Sequence, residues 1–208
     1  MMNRDTAARA IRPSLLLVRL VASLGASIVL LSGCAFTTGH VNLAYEPTTE
    51  VSKVATADSP RVRVEVTDKR PTQAVGQKIN GFGMKTADIV SDSDVAATLK
   101  TAFETELHNR GFTDGAGGDL VVVRLADFQS QFTLGFFSGD AFATIGMDVA
   151  VKRPDGSVTY SRYIAGESKD WVELAGEGNA ERMLNGAMRD GVAKVFSDNT
   201  FIEALNKR

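Results

Sequence analysis

A single cysteine, Cys34, stands directly after an apolar run in this chain of 208 residues. One thiol excludes an intramolecular disulfide and a cysteine-rich zinc site, so the fold has to be stabilised by a hydrophobic core. The chain can build such a core, because 44% of its residues are hydrophobic and 23% are charged, as in an ordinary folded domain. Having only the two histidines His40 and His108, it also cannot form a site with three histidine ligands.

The first 33 residues have the layout of a secretory signal peptide. Four arginines and one aspartate precede an uncharged run of 12 residues, Leu20–Leu31. Such a run rises about 18 Å as a helix, well short of the ~30 Å hydrocarbon core of a bilayer. Two small residues, Ser32 and Gly33, then lead to Cys34. The sequence therefore predicts a removable leader over residues 1–33.

The segment Leu31-Ser32-Gly33-Cys34 resembles the lipobox of bacterial lipoproteins. By that resemblance, Cys34 receives a thioether-linked diacylglycerol, the chain is cleaved after Gly33, and the new amino terminus gains an acyl chain such as palmitate. Three acyl chains, at about 0.8 kcal/mol per buried CH₂, anchor a protein stably to a membrane. We expect this covalent lipid and no cofactor. The alternative is an ordinary signal peptide that ends near a cysteine by chance.

The residue after Cys34 bears on where a lipoprotein is delivered. It is Ala35 and not the Asp that retains lipoproteins at the inner membrane of enteric bacteria, so we expect the periplasmic side of the outer membrane. Taking the leader's four basic residues and one acidic residue from totals of 23 and 25 leaves 19 and 24, a net charge of −5. That balance argues against a nucleic-acid partner and against a polybasic membrane patch.

Composition divides the mature chain into a tether and one domain. Residues 34–59 are rich in Ser, Thr and small residues and indicate a lipidated tether, with His40–Pro47 as a candidate edge strand. From residue 60 to 208 we expect a single periplasmic α+β domain. Alternating apolar residues and turn signals predict its strands, which are Arg61–Thr67, a hairpin within Val75–Val90, Leu120–Phe132, Ala141–Val151 and Ser157–Ser168.

Apolar residues at steps of three and four predict two longer helices. The first follows the capping segment Ser91–Asp94 and ends before Gly111, and the second runs from about Asn179 to Phe196. A short helical piece, Phe201–Lys207, ends the chain. Together these elements predict a mostly antiparallel sheet of about four strands with two helices packed on one face.

Several of these motifs together resemble the YajG-type lipoproteins. They are the lipobox, the strand end Val66–Pro71, and the helix pattern of Leu99 and Leu107 followed by Arg110-Gly111-Phe112. The similarity runs from about Arg61 to Phe201-Ile202-Glu203. These are bacterial envelope proteins with no catalytic residue set, so the resemblance implies a location and a fold and leaves the mechanism open.

The charged turn Asp68-Lys69-Arg70 is one candidate contact site. An arginine fork beside a lysine at a strand end grips carboxylates or phosphates on a partner, glycan or lipid. The alternative is a solvated turn with a local ion pair worth less than about 1 kcal/mol.

The adjacent residues Phe136 and Phe137 are the second candidate contact. Five of the chain's 11 phenylalanines lie within Phe128–Phe142. Neighbouring side chains of an extended segment point in opposite directions, so both cannot enter one core, and an exposed pair would dock a partner or a lipid surface. The alternative is a loop that folds back and buries both rings.

No motif in the sequence indicates catalysis or nucleotide binding. The glycine-rich segments Gly81–Gly83 and Gly115–Gly118 lack the strand–glycine–helix context that cradles phosphates. The acidic residues Asp88, Asp92 and Asp94 lack the spacing of a calcium loop. We therefore expect a non-enzymatic interaction module that binds an envelope protein complex. A binding module for a glycan or lipid fragment is the alternative, and a hydrolase is the third hypothesis.

Overall fold

The computed structural model describes residues 36–47, 51–56, 58–134, 139–172 and 176–207. It divides into a unit that ends at Thr37 and a compact unit from Thr38 to Arg208. The described strands and helices all lie in the second unit. The predicted lipidation site Cys34 and the predicted contacts Phe136 and Phe137 lie outside the described residues.

Strands and helices of the compact unit follow one another in an α+β order. The strands are β1 (Gly39–Val41), β2 (Val62–Asp68), β3 (Ala74–Ile79), β4 (Lys85–Ser91), β5 (Asp119–Leu134), β6 (Gly139–Lys152) and β7 (Val158–Val172). The helices are α1 (Val95–Asn109), between β4 and β5, followed after β7 by α2 (Glu177–Ser197) and α3 (Asn199–Asn206).

The strands form two mixed sheets, and the predicted α+β class is confirmed. The larger sheet has the order β2-β5-β6-β7, with β2 parallel to β5 and the other pairs antiparallel. The predicted hairpin, β3–β4, joins β1 in a separate sheet of order β1-β4-β3. It packs over the face of β5, because the Ser130 hydroxyl donates a 3.1 Å hydrogen bond to the Val75 carbonyl.

The core lies on one face of the larger sheet, where α2 contacts β6 and β7 and α1 contacts β2. Every second residue of β6 points into it, and each is 1% exposed or less: Ala141, Ala143, Ile145, Met147, Val149 and Val151. On β5 the inward row is interrupted by a bulge between Leu125 and Asp127, after which Phe128 and Ser130 take the inward positions. The sequence pattern of β6 therefore predicted the core face correctly.

Local capping signals set the ends of α1. The Asp94 carboxylate accepts a 3.0 Å hydrogen bond from the Ala97 amide, as expected of an N-cap. At the other end Gly111 has a φ of +92°, a left-handed conformation that favours glycine. Both ends agree with the sequence prediction.

Much of the segment predicted as a tether packs on the domain. Val41 and Leu43 are 1% and 7% exposed and belong to the core. The amides of Val54 and Ala55 both donate to the Arg110 carbonyl, at 3.0 and 3.1 Å. The compact unit accordingly begins at Thr38 rather than at residue 60. Composition obscured this boundary, because Val41 and Leu43 are single apolar residues flanking Asn42, and the stretch that follows Pro47 is rich in Ser and Thr like a linker.

Candidate functional site

The Asp68-Lys69-Arg70 turn holds its arginine inside the domain. Nε and Nη2 of Arg70 donate to both carboxylate oxygens of Asp68 at 2.7–3.1 Å. The Arg70 side chain is 3% exposed and that of Asp68 is 23% exposed, whereas Lys69 is exposed. The fork that was a candidate grip for an external anion is thus occupied by Asp68. The pair is local, as in the alternative interpretation, but the guanidinium is buried rather than solvated.

Arg70 also changes the acidity of its partner. Burial of Asp68 acts to raise the pKa of that carboxyl, but the hydrogen bonds and charge of Arg70 outweigh burial and hold the pKa below its ordinary value. The remaining nitrogen of the fork, Nη1, is buried without a hydrogen-bond partner. This turn is therefore a structural element of the domain, with Lys69 as its exposed charge.

The phenylalanines around the second candidate contact have different environments. Phe128 is 1% exposed in the core, and Phe132 packs against the core while partly buried. Phe142, also half-buried, lies opposite Gln131 and Lys169 on the outward side of β6. Phe136 and Phe137 lie outside the described residues, so their role as exposed contacts stays a prediction.

The face of the larger sheet that points away from α1 and α2 is exposed and carries aromatic side chains. Trp171 and Tyr163 of β7 are 58% and 59% exposed. Tyr163 lies opposite Asp148 of β6, which in turn lies opposite Arg124 of β5. Tyrosine, tryptophan and arginine are the residues most enriched in protein interfaces. This outward sheet face is the candidate interaction surface of the domain.

The Tyr163 side chain reaches across to the neighbouring strand. A Cβ atom added at Gly146 would come within 2.0 Å of the Tyr163 hydroxyl oxygen, so the hydroxyl end of the side chain lies over the glycine. The missing side chain at Gly146 therefore leaves the space that the tyrosine occupies on this face.

Sequence reasoning singled out neither exposed aromatic: Tyr163 lay inside the predicted strand Ser157–Ser168, and Trp171 lay beyond its predicted end. Extended to Val172, the strand places Tyr163 and Trp171 eight residues apart, on the same face by the two-residue period of a strand. The same period puts Tyr160, Gly166 and Val172 on the inward face, where each is buried. The two-residue period along β7 was therefore the sequence signal that could have placed both aromatic residues on the outward face.

A groove of about 490 Å³ runs between the start of α2 and the end of β7. Its charged walls are already paired: Arg182 lies 3.1 Å from Asp170 and Arg189 lies 3.8 Å from Glu46. None of the residues that line it is aromatic. A glycan or lipid-fragment site requires stacking or apolar surface, so this groove gives little support to the small-ligand hypothesis.

Among the described residues, no three His, Cys, Asp or Glu side chains are grouped as a metal site requires. In the same ranges no helix has the length and apolarity needed to cross a bilayer. His40 Nδ1 lies 2.6 Å from Asp92, with both side chains about half exposed. The neighbouring Ser93 hydroxyl bonds instead to the backbone of Leu43.

Comparison with known proteins gives one matching family and several matching solved structures. Residues 47–206 match the model of a family described as "Uncharacterized lipoprotein". Protein XCC0632 of Xanthomonas campestris has a similar fold, with a TM-score of 0.50 and 12% identity over 80% of this chain and 96% of its own. A minor lipoprotein of Acinetobacter baumannii has a TM-score of 0.43 and 12% identity, over 67% of this chain and 91% of its own. The curated proteins give no match.

Proposed function

Because the chain belongs to a family of uncharacterized bacterial lipoproteins, we propose that it is a lipid-anchored accessory module that binds another protein of the cell envelope and catalyses no reaction. The family match covers most of the compact unit and carries the lipoprotein assignment. The likeness of its strand-end and helix-end motifs to YajG-type lipoproteins is part of the proposal.

The proposed anchor is a lipid on Cys34. Cleavage after Gly33 exposes its amino group, which takes an acyl chain such as palmitate, while the thiol carries diacylglycerol. Ala35 favours delivery to the outer membrane, with the domain in the periplasm. Intact-mass measurement of the membrane form tests this assignment: a chain that begins at Cys34 and carries three acyl groups supports it, and an unmodified thiol contradicts it.

The observation that carries the proposed function is the exposed aromatic face of the larger sheet. Two strand spacings over the 14 residues of β6 and one over the seven residues of β2 give this face a flat area of about 550 Å². That is about two thirds of the ~800 Å² which each partner buries in a standard protein interface. Trp171 and Tyr163 supply the aromatic anchors, and interspersed charges such as Arg124, Asp148 and Lys169 supply a polar surround.

Photo-crosslinking in cells tests the proposed function. A photoreactive phenylalanine replaces Trp171 or Tyr163 in the full-length protein, and the matched control replaces Glu104, an exposed residue of α1. We expect one abundant envelope protein to be captured from the two sheet positions and not from position 104. Equal capture from all three positions, or no adduct from the sheet, contradicts the proposal.

A second experiment covers the predicted loop contact. Replacing Phe136 and Phe137 by serine is expected to leave folding intact and to remove the co-purifying partner. The Trp171→Ser variant is expected to do the same. If both variants keep the partner at wild-type yield, neither surface is the interface.

A further inference from the structure

The turn between β3 and β4 presents two apolar side chains to solvent. Phe82 is 90% exposed and Met84 is 59% exposed. Phe82 is the most exposed large hydrophobic side chain among the described residues. A lone exposed apolar residue is ordinary, but two within three residues at the tip of a hairpin form a small protruding apolar surface.

The turn is built to hold those side chains outward. The Asn80 side-chain oxygen accepts hydrogen bonds from the amides of Phe82 and Met84, both at 3.0 Å. The Asn80 amide donates to the Met84 carbonyl at 2.9 Å, and Gly83 takes a φ of +76°. Because its own hydrogen bonds order the tip, the apolar pair is presented in a fixed position.

The chain enters the domain at β1, and the direction of β1 shows that this entry point faces the β3–β4 turn. β1 is parallel to β4, with Gly39 opposite Ile89. Its amino-terminal end therefore points towards Lys85, which follows the turn directly. Met84 precedes Ile89 by five positions along the hairpin, and Cys34 precedes Gly39 by five positions along the sequence. Each stretch spans at most about 17 Å, so the reach of the tether from Cys34 is comparable to the distance from the level of Gly39 to the turn.

We infer that the Asn80–Met84 turn docks on the bilayer surface, with Phe82 and Met84 inserted at the level of the lipid headgroups. The inference rests on the proposed lipidation of Cys34. A tether this short holds the end of the domain that carries the turn beside the membrane, so the apolar tip meets lipid without a separate binding step. Phenylalanine is one of the apolar side chains that membrane-surface segments bury at the boundary between headgroups and acyl chains.

Apolar insertion rather than charge attraction provides this contact. Lys85 lies 2.6 Å from Asp88, and Lys78 lies 2.7 Å from Glu177. The two lysines that flank the turn are thus matched by carboxylates, and they add little net positive charge for anionic headgroups. Docking is therefore expected on neutral lipid and to change little with salt.

Tryptophan fluorescence in vesicles tests the docking. The full-length lipidated protein is reconstituted in phosphatidylcholine vesicles that contain lipids brominated near the headgroup end of the acyl chains. A Trp171→Phe background removes the single native tryptophan, and Phe82→Trp places a reporter on the turn. The matched control is Val158→Trp, which is 54% exposed and lies at the far end of the larger sheet from Ser130, where the hairpin packs.

We expect bromine quenching and a blue-shifted emission for the Phe82→Trp reporter, and neither for the Val158→Trp reporter. Equal quenching of the two reporters, or none for Phe82→Trp on vesicles that carry the protein, overturns the inference. Intact mass and vesicle flotation of the same sample separate this failure from failure of the anchor. A protein that has no lipid on Cys34 and does not float overturns both proposals.

A second measurement does not depend on a tryptophan. In a non-lipidated Cys34→Ser protein made without residues 1–33, so that the apolar run Leu20–Leu31 is absent, the turn is the proposed membrane contact, and Phe82→Ser is expected to lower partitioning into neutral vesicles about tenfold. The control Val158→Ser is expected to leave it unchanged. Equal partitioning of Phe82→Ser and its parent contradicts the inference.

Discussion

The Tyr45 hydroxyl donates a 2.6 Å hydrogen bond to the carboxylate of Glu106, which is 1% exposed in α1. The same carboxylate is paired with the Arg110 guanidinium, which lies 4.5 Å from the ring centroid of Phe196 in α2. Burial, followed by the hydrogen bond and charge of Glu106, raises the pKa of Tyr45 above its ordinary value. One polar network thus links the amino-terminal segment with both long helices.

Removing the Tyr45 hydroxyl is expected to destabilise the domain. In Tyr45→Phe the Glu106 carboxylate loses a buried donor, which costs about 1–3 kcal/mol of unfolding free energy. Urea denaturation measures the change, and the exposed Tyr163→Phe is the control, expected to lie within about 0.5 kcal/mol of wild type. Equal stability of the two variants would show that the network contributes nothing.

Gly166 of β7 and Gly191 of α2 allow the helix to lie directly on the strand. A Cβ atom at Gly166 would come within 2.4 Å of the Gly191 amide nitrogen, which is backbone and cannot turn aside. We expect Gly166→Ala to lower the melting temperature and to cost about 1–3 kcal/mol or more. Gly178→Ala in the same helix has open space around it and is expected to be neutral or stabilising by up to about 1 kcal/mol. A neutral Gly166→Ala would contradict the close packing.

Substitutions at Arg70 and Lys69 test whether the buried Arg70 side chain stabilises the domain. Lysine cannot form the paired hydrogen bonds to Asp68, so Arg70→Lys is expected to cost about 3 kcal/mol of stability. Lys69→Ala, at the exposed neighbour, is expected to leave stability unchanged within about 0.5 kcal/mol. Denaturant unfolding of both variants decides the matter. Should Arg70→Lys be as stable as wild type, the ion pair is not structural.

Asp198 predicts a loss of stability in acid. It accepts hydrogen bonds from Thr200 and Tyr160, and these contacts together with Arg162 hold the pKa of the carboxyl below 3.8. A carboxyl whose pKa is lower in the folded state stabilises the fold fully above its unfolded pKa, and this stabilisation is lost as pH falls through the folded value.

Asp198→Asn is therefore expected to lower stability by a constant amount at neutral pH. The difference from wild type shrinks as pH falls below about 4. Urea unfolding at several pH values measures this convergence. No difference between the two proteins at neutral pH would assign the contribution to hydrogen bonds that asparagine preserves, and a difference that does not shrink in acid would show that it does not come from the Asp198 charge.

Local signals predicted the local features of this fold. The alternation of β6 predicted a buried face that the structure confirms, and Asp94 and Gly111 predicted both ends of α1. In each case the determining contacts lie within a few residues of one another, or follow from the period of a single strand.

Long-range pairing was beyond the reach of such signals. The parallel pairing of β1 with β4 and the burial of Val41 depend on residues about 50 positions away. The sequence did indicate an edge strand within His40–Pro47, and β1 lies at the edge of its sheet, but three residues are too few to identify the partner strand or its direction. The close spacing of Asp68 and Arg70 did suggest a local ion pair, but the burial of the fork depends on the packing around it and has no signature in the sequence.

Hydrogen bonds to side chains of α2 hold the amino-terminal segment of the domain. The Asn42 amide donates to a Glu181 side-chain oxygen at 2.8 Å, and the Ala44 amide donates to Asn185 at 3.1 Å, contacts that span 139 and 141 positions. A ribosome releases residues 42 and 44 long before it releases 181 and 185, and contacts of such separation form late in folding. The contacts that fix residues 42 and 44 on α2 therefore cannot form until nearly all of the chain has been made.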